Sequence, residues 1–119
     1  MKYTLIVTTY PQAMADLGDR MADLTRGFFD YNRALEAAGA YVAGEPLDAP
    51  DLAVTVRKRG DEVVETDGPF VETKEMIGGF YLVECKDRAE AVAWARKIPV
   101  VTLGVGSVEV RPCCVIPES

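Results

Sequence analysis

Histidine is absent from the 119 residues of this chain. Histidine exchanges protons most readily near neutral pH and is the commonest side-chain ligand of transition metals. Its absence therefore excludes histidine-based acid–base catalysis and disfavours most zinc and copper centres. From the sequence we predict no metal site and no bound cofactor.

Cysteine is also scarce, with Cys85, Cys113 and Cys114 as the three examples. An odd number of cysteines in a chain without a secretory signal argues against a disulfide framework, so we expect reduced thiols. A zinc site normally needs four ligands at short spacings, which this set does not supply. The adjacent Cys113 and Cys114 either form a strained disulfide or redox sensor, or are ordinary tail residues, and the second interpretation is favoured.

Long apolar runs are missing as well. No stretch approaches the roughly 20 apolar residues that a membrane-spanning helix needs. The segment from Met1 to Tyr10 lacks the apolar core and small-residue cleavage site of a signal peptide. We therefore expect a cytoplasmic protein that does not associate with membranes.

Basic residues are outnumbered, with 13 Lys and Arg against 19 Asp and Glu, for a net charge of −6. A protein that neutralises nucleic-acid phosphates carries the opposite bias, so nucleic acid is not an expected partner. An acidic surface can instead recognise a basic protein, although most such surfaces only maintain solubility. The length fits a single domain over residues 1–119, with burial between subunits adding to a small core.

Apolar residues that recur every three or four positions predict two helices. The first carries its apolar stripe from Leu17 to Ala38 and is expected to stop at Gly39. The second opens at Asp87, where a glutamate three residues later gives the pattern of a capping box, and is expected to end at Pro99. Oppositely charged residues four apart on the first helix predict a solvated outer face.

Short runs rich in β-branched and aromatic residues predict strands. The predicted strands cover residues 2–9, 41–46, 53–58, 62–66, 79–85 and 107–111. Arg59, Gly60 and Asp61 join the third and fourth strands as a hairpin. The order of elements predicts an α+β, ferredoxin-like fold of the split βαβ kind: an antiparallel sheet with two helices on one face and an inserted hairpin. The other face of such a sheet needs cover, which predicts a homodimer.

A turn followed by clustered charges makes residues 66–75 the most informative stretch. Asp67, Gly68 and Pro69 favour a rigid turn that presents the next aromatic side chain. Three charges then follow within four residues, and these either line a polar pocket or lie in solvent. The candidate ligand-binding residues are Asp67, Phe70, Glu72, Lys74 and Glu75.

The stretch from Asp67 to Glu75 resembles the Asp-Gly-Pro-Phe signature of the YCII-related family, in its DGPF-domain subgroup. The resemblance covers nearly the whole chain and implies a bacterial, ferredoxin-like domain of the dimeric α/β barrel type. It also implies a cleft lined in part by the signature, without an agreed biochemical function. Relatives that resemble enzymes carry a His and Asp pair in the cleft. Here the position of that histidine falls near Phe28, so the pair is not carried over.

Three functions follow as hypotheses. The first is a dimeric small-molecule-binding domain with a cleft at the signature. The second is a histidine-independent enzyme on a small polar or aromatic substrate, with Asp67, Glu72 or Glu75 as acid or base and with Lys74 or Arg57 holding an anion. Asp30 acting alone is a weaker candidate base. The third, implied by relatives encoded beside sigma factors, is a regulatory protein that binds a sigma factor.

Overall fold

The computed structural model describes residues 1–69 and 75–117. Phe70, Glu72 and Lys74 of the predicted site lie outside the described residues. The strands are β1 (Lys2–Thr9), β2 (Tyr41–Pro46), β3 (Val54–Arg59), β4 (Glu62–Asp67), β5 (Met76–Glu84) and β6 (Gly106–Pro112). The helices are α1 (Pro11–Ala15), α2 (Met21–Ala37), α3 (Arg88–Arg96) and α4 (Pro99–Thr102), with short 3-10 turns at Gly18–Arg20 and Pro50–Leu52.

Within the described residues, four strands form a sheet in the order β2-β5-β1-β6, and each neighbouring pair is antiparallel. Strands β3 and β4 form a separate two-stranded hairpin. In the middle of the sheet, Leu5 of β1 lies opposite Tyr81 of β5 and Val110 of β6. The predicted mixed α+β class with an antiparallel sheet is confirmed.

One face of the sheet carries the core. Tyr3, Leu5 and Val7 alternate along β1 and are buried in one cluster with residues of the helices. Because side chains alternate between the two faces of a strand, the residues between them point the other way. Ile6 and Leu82 on that second face are half-buried. The helices therefore cover one face of the sheet, as the sequence predicted.

Tyr31 of α2 joins three elements at the centre of the core. Its ring makes edge contacts with Tyr81 of β5 and Trp94 of α3, at centroid distances of 5.3 and 5.9 Å. Its hydroxyl donates a hydrogen bond of 2.9 Å to the backbone carbonyl of Trp94. A buried hydroxyl needs such a partner, and this one fixes α2 relative to α3.

The ends of the two predicted helices need correction. The first α-helix on the predicted stripe begins at Met21, and Leu17 is buried in the preceding turn instead. The second helix is capped as predicted, since the Asp87 carboxylate accepts a 2.9 Å bond from the Glu90 amide. However, this helix ends at Arg96, and Pro99 starts α4. Proline fits the first turn of a helix because its missing N–H is not needed there.

The charge pairs on α2 also differ from those predicted. Arg26 lies 3.9 Å from Asp23, and Arg33 lies 3.8 Å from Asp30, so the pairs are three residues apart. These side chains are exposed, as expected for a solvated helix face. None of the helices built from the described residues combines the length and the apolar character needed to cross a bilayer.

We expect Tyr31→Phe to lower the free energy of unfolding by about 1 kcal/mol, because the hydrogen bond between α2 and the Trp94 carbonyl is lost while the ring contacts and the Lys97 amide bond to that carbonyl remain. Urea denaturation measures the change. Tyr10→Phe is the control, since Tyr10 is only half-buried, and we expect a change within about 0.5 kcal/mol. Equal stability of Tyr31→Phe and the unmodified chain would contradict the role given to this hydroxyl.

Candidate functional site

A cavity of about 380 Å³ lies between α2 and the β2–β5 side of the sheet. Its volume falls within the usual range for sites that bind small molecules. Helix α2 supplies one wall, and strands β1, β2 and β5 supply the floor. The lining from α2 consists of Leu24, Thr25, Phe28, Phe29 and Asn32.

Two glycines allow close packing in the floor of this cavity. A Cβ at Gly44 of β2 would lie 2.8 Å from the Tyr81 ring, and a Cβ at Gly79 of β5 would lie 2.9 Å from the Glu45 carbonyl oxygen. Real Cβ atoms do not approach other atoms so closely, so a side chain at either position would push the strands apart or displace Tyr81. The glycines thus allow close strand pairing beside an open space.

A hydrogen bond between α2 and β5 supplies the polar part of the wall. The Tyr81 hydroxyl donates to Oδ1 of Asn32 at 2.5 Å, and both residues line the cavity. With Oδ1 accepting this bond, the donors of the Asn32 side chain are the two hydrogens of Nδ2. Asn32 therefore offers a ligand a hydrogen-bond donor.

Burial raises the pKa of Tyr81 to about 12, and the neighbouring Tyr41 hydroxyl adds to the shift. Burial also raises the pKa of Tyr31, with a smaller contribution from Tyr81. Both tyrosines are therefore neutral near pH 7, because desolvation disfavours the charged phenolate. At that pH Tyr81 acts as a neutral hydrogen-bond donor.

The cavity wall is otherwise largely apolar. Among the described residues no charged or polar side chain is classed as buried. Glu45, the acidic residue of the lining, is exposed. Phe28 is half-buried and packs against the core. Asp30 lies exposed on α2 beside Arg33. The described lining is thus suited to uncharged ligands.

The described residues of the signature lie away from this cavity. Asp67 is exposed at the end of β4, and Gly68 has a φ of 105°, which fits the predicted turn. The Gly68 amide donates to the Ala53 carbonyl at 2.7 Å, and the Gly68 carbonyl accepts from the Thr55 hydroxyl at 2.7 Å. These bonds tie the turn to the base of the hairpin.

Of the other predicted site residues, Glu75 is exposed and lines a groove of about 560 Å³ beside the hairpin. Asp67 lines a neighbouring open depression with Pro50 and Met76. The structure places neither carboxylate in the cavity under α2. A ligand-binding role for the signature stays a prediction, since Phe70, Glu72 and Lys74 lie outside the described residues.

The cysteines lie apart from the cavity. Cys85 is buried, and burial raises the pKa of its thiol. The Cys113 sulfur lies 3.4 Å from the Thr4 hydroxyl, and Cys114 is exposed. Across residues 1–69 and 75–117, no three His, Cys, Asp or Glu side chains come together as a metal-ion site.

Sequence reasoning missed the polar residues of the cavity. Thr25 and Asn32 follow Leu24 and Tyr31 of the apolar stripe and are seven residues apart. Two helical turns separate them, so they lie on the same edge of the stripe. A polar residue directly after a core position, at two places seven residues apart, is the sequence pattern that would have predicted the polar part of this wall.

Comparison with known proteins places the chain in a family. The model of the YCII-related domain matches residues 1–114. The chain belongs to the YCII-related domain family. An uncharacterized protein of Rhizobium meliloti is 45% identical over 60 residues, which are 50% of this chain and 48% of that protein. The chain therefore spans about half the length of the curated relative that it matches.

A solved structure shares the fold of this YCII-related chain. It is the 5-chloro-2-hydroxyhydroquinone dehydrochlorinase of Burkholderia phenoliruptrix in complex with 2,5-dihydroxybenzoquinone. The TM-score is 0.55 and the identity is 17%, over 96% of this chain and 94% of the other. Such a likeness shows the α+β fold, whereas activity depends on the residues of each site.

The raised pKa of Tyr81 leads to a test at high pH. Because the neutral form is favoured in the folded state, its contribution to stability is complete below the ordinary tyrosine pKa of 10.0 and is lost as the pH rises toward about 12. We expect Tyr81→Phe to lose less stability than the unmodified chain across this interval. Denaturation at several pH values, with tyrosinate absorbance as a second measurement, checks this. Identical pH profiles would contradict it.

Proposed function

We propose that this YCII-related chain is a small-molecule-binding domain whose ligand occupies the cavity under α2. The observation that carries the proposal is a largely apolar space of about 380 Å³ with the Tyr81–Asn32 hydrogen bond in its wall. Sites of this kind combine apolar contact area with a few polar groups that orient the ligand. The cavity uses described residues and requires no histidine.

The lining favours a planar, uncharged ligand that carries an oxygen acceptor. Phe28, Phe29 and Tyr81 offer aromatic surfaces for edge or offset contacts with a ring. The Nδ2 hydrogens of Asn32 suit a ligand carbonyl or hydroxyl oxygen. A charged group in the interior would lose its hydration, and the carboxylate of the described lining, Glu45, is exposed to solvent, which weakens its attraction for a cation. The quinone bound by the dehydrochlorinase, a planar ring with oxygen substituents, supports this ligand class.

Binding is better supported than catalysis. A general base needs a pKa near the working pH, and the Tyr81 hydroxyl is far above it. The described carboxylates considered as catalysts, Asp30, Asp67 and Glu75, are exposed. A histidine-independent reaction that uses Glu72 or Lys74 stays a prediction, as does the interaction with a sigma factor.

We further propose a ferredoxin-like arrangement in which two copies pack sheet on sheet. The strand order β2-β5-β1-β6 supports it, because two non-consecutive strands take the central places as in a split βαβ unit. Ile6 and Leu82 on the second face supply apolar area for a second copy. Membership of the DGPF subgroup and a cytoplasmic location stay predictions.

We expect neutral phenols and quinones to raise the melting temperature, whereas benzoate and benzylamine should not. A ligand at 100 times its dissociation constant adds about 2.7 kcal/mol to the stability. Thr25→Trp should abolish the shift by filling the cavity, while Ala22→Trp on the exposed side of α2 should not. Asn32→Leu should weaken binding about tenfold, because the ligand oxygen loses its donor.

This ligand test has clear contrary outcomes. Shifts that persist in Thr25→Trp would place the ligand elsewhere. Shifts that vanish with Asp67→Ala and survive in Asn32→Leu would move the site to the signature. A uniform lack of response to the neutral compounds would contradict the ligand class.

The proposed sheet-on-sheet dimer is tested with Leu82→Glu, which places a charge in the expected interface. We expect this variant to form a smaller assembly than the unmodified chain in sedimentation velocity, because a buried carboxylate without a partner is strongly unfavourable and removes the sheet-on-sheet contact. Ala34→Glu, at an exposed position of α2, is the matched control and should associate normally. An unchanged sedimentation coefficient for Leu82→Glu would count against this interface.

A further inference from the structure

The β3–β4 hairpin carries apolar surface that the core does not use. In the part of the chain that the structure describes, its strands pair with each other and form no ladder with the four-stranded sheet. An isolated two-stranded hairpin is only marginally stable in water unless one of its faces packs against something. The exposure of the side chains on its two faces shows which face is available for contact with another molecule.

Three valines lie exposed on one face of the hairpin, here called the valine face. Val54 and Val56 of β3 are 56% and 60% exposed, and Val63 of β4 is 71% exposed. The register places Val63 opposite Lys58, two positions beyond Val56, so all three valines share this face. On the other face, Thr55 and Val64 are half-buried. Adjacent exposed apolar side chains of this kind mark an interaction surface.

Charge on the valine face is divided along its length. Lys58 lies near the turn, whereas Glu65 and Asp67 lie toward the base. Arg57 and Arg59 lie on the other face of the hairpin, and Asp61 and Glu62 are acidic residues at the turn. On the valine face itself, the end near the turn carries the positive charge of Lys58, and the base carries the two carboxylates of Glu65 and Asp67.

The base of the hairpin also borders an apolar groove. The groove has a volume of about 560 Å³, and its wall includes Leu47, Leu52 and Ile77, which are exposed. Asp48 contributes a carboxylate to the same wall. An apolar side chain that arrives beside a basic one would be matched here in both hydrophobicity and charge.

We propose that a second copy of this chain covers the valine face, with the two hairpins running in opposite directions so that the turn of each lies over the base of the other. Lys58 then approaches the acidic base of the second copy, and Val63 approaches its groove. Hairpins that ran in the same direction would bring the two Lys58 side chains together. A two-fold arrangement forms each favourable contact twice. This contact is separate from the sheet-on-sheet dimer and from the ligand cavity.

The test is a charge exchange followed by sedimentation velocity over a wide range of protein concentration. We expect Lys58→Glu and Asp67→Lys each to weaken association about tenfold, and the double variant to recover most of the loss. Lys86→Glu, which follows the far end of β5, has the same charge change as Lys58→Glu and should associate normally. The same three variants are also measured in chains that carry Leu82→Glu, which separates the hairpin contact from the sheet-on-sheet contact.

A second pair of variants tests the valine face itself. Val56→Asp should dissociate the hairpin contact, whereas Thr66→Asp on the other face should not. Both variants should unfold cooperatively in urea, which shows that they fold. Additive losses in the charge exchange, normal association of Val56→Asp, or a monomeric unmodified chain would overturn the proposal. None of these outcomes bears on the ligand cavity.

Discussion

The contact between α2 and β5 is the interaction on which the rest of the structure depends. The rings of Tyr31 and Tyr81 are in edge contact in the core. Asn32, the next residue of α2, accepts a hydrogen bond from the Tyr81 hydroxyl. The ring contact fixes the helix over the sheet, while the hydrogen bond lies in the cavity wall. Stability and the candidate site are therefore coupled through Tyr81, because a change that moves its ring alters both.

The candidate site combines aromatic surface with little charge. Its floor depends on Gly44 and Gly79, which let β2, β5 and the Tyr81 ring pack more closely than any side chain at these positions would allow. The phenol of Tyr81 stays protonated because its surroundings disfavour a phenolate. Such a wall selects ligands by shape and by a single oriented hydrogen bond, and it gives little stabilisation to an ionic intermediate.

Much of the fold was predictable, because burying one face of a helix or strand makes apolar residues recur at a regular spacing in the sequence. The bounds of β1 and β2 follow their apolar runs, and the Asp87 cap starts α3 as predicted. The start of α2 was not predictable in this way, since a buried Leu17 in a turn has the same spacing as one in a helix. The cavity was missed for a related reason: its walls come from residues far apart in sequence, whereas the signature drew attention to a contiguous segment.

The cavity has little charge whereas the hairpin carries several charged residues, so the two differ in how they respond to ionic strength. Dissolved ions screen exposed charges over roughly 10 Å at 0.1 M salt, and they affect apolar contact much less. A contact that depends on Lys58 and Asp67 would therefore weaken in concentrated sodium chloride, while a neutral ring under α2 would stay bound. Salt concentration would then weaken the hairpin contact without emptying the cavity.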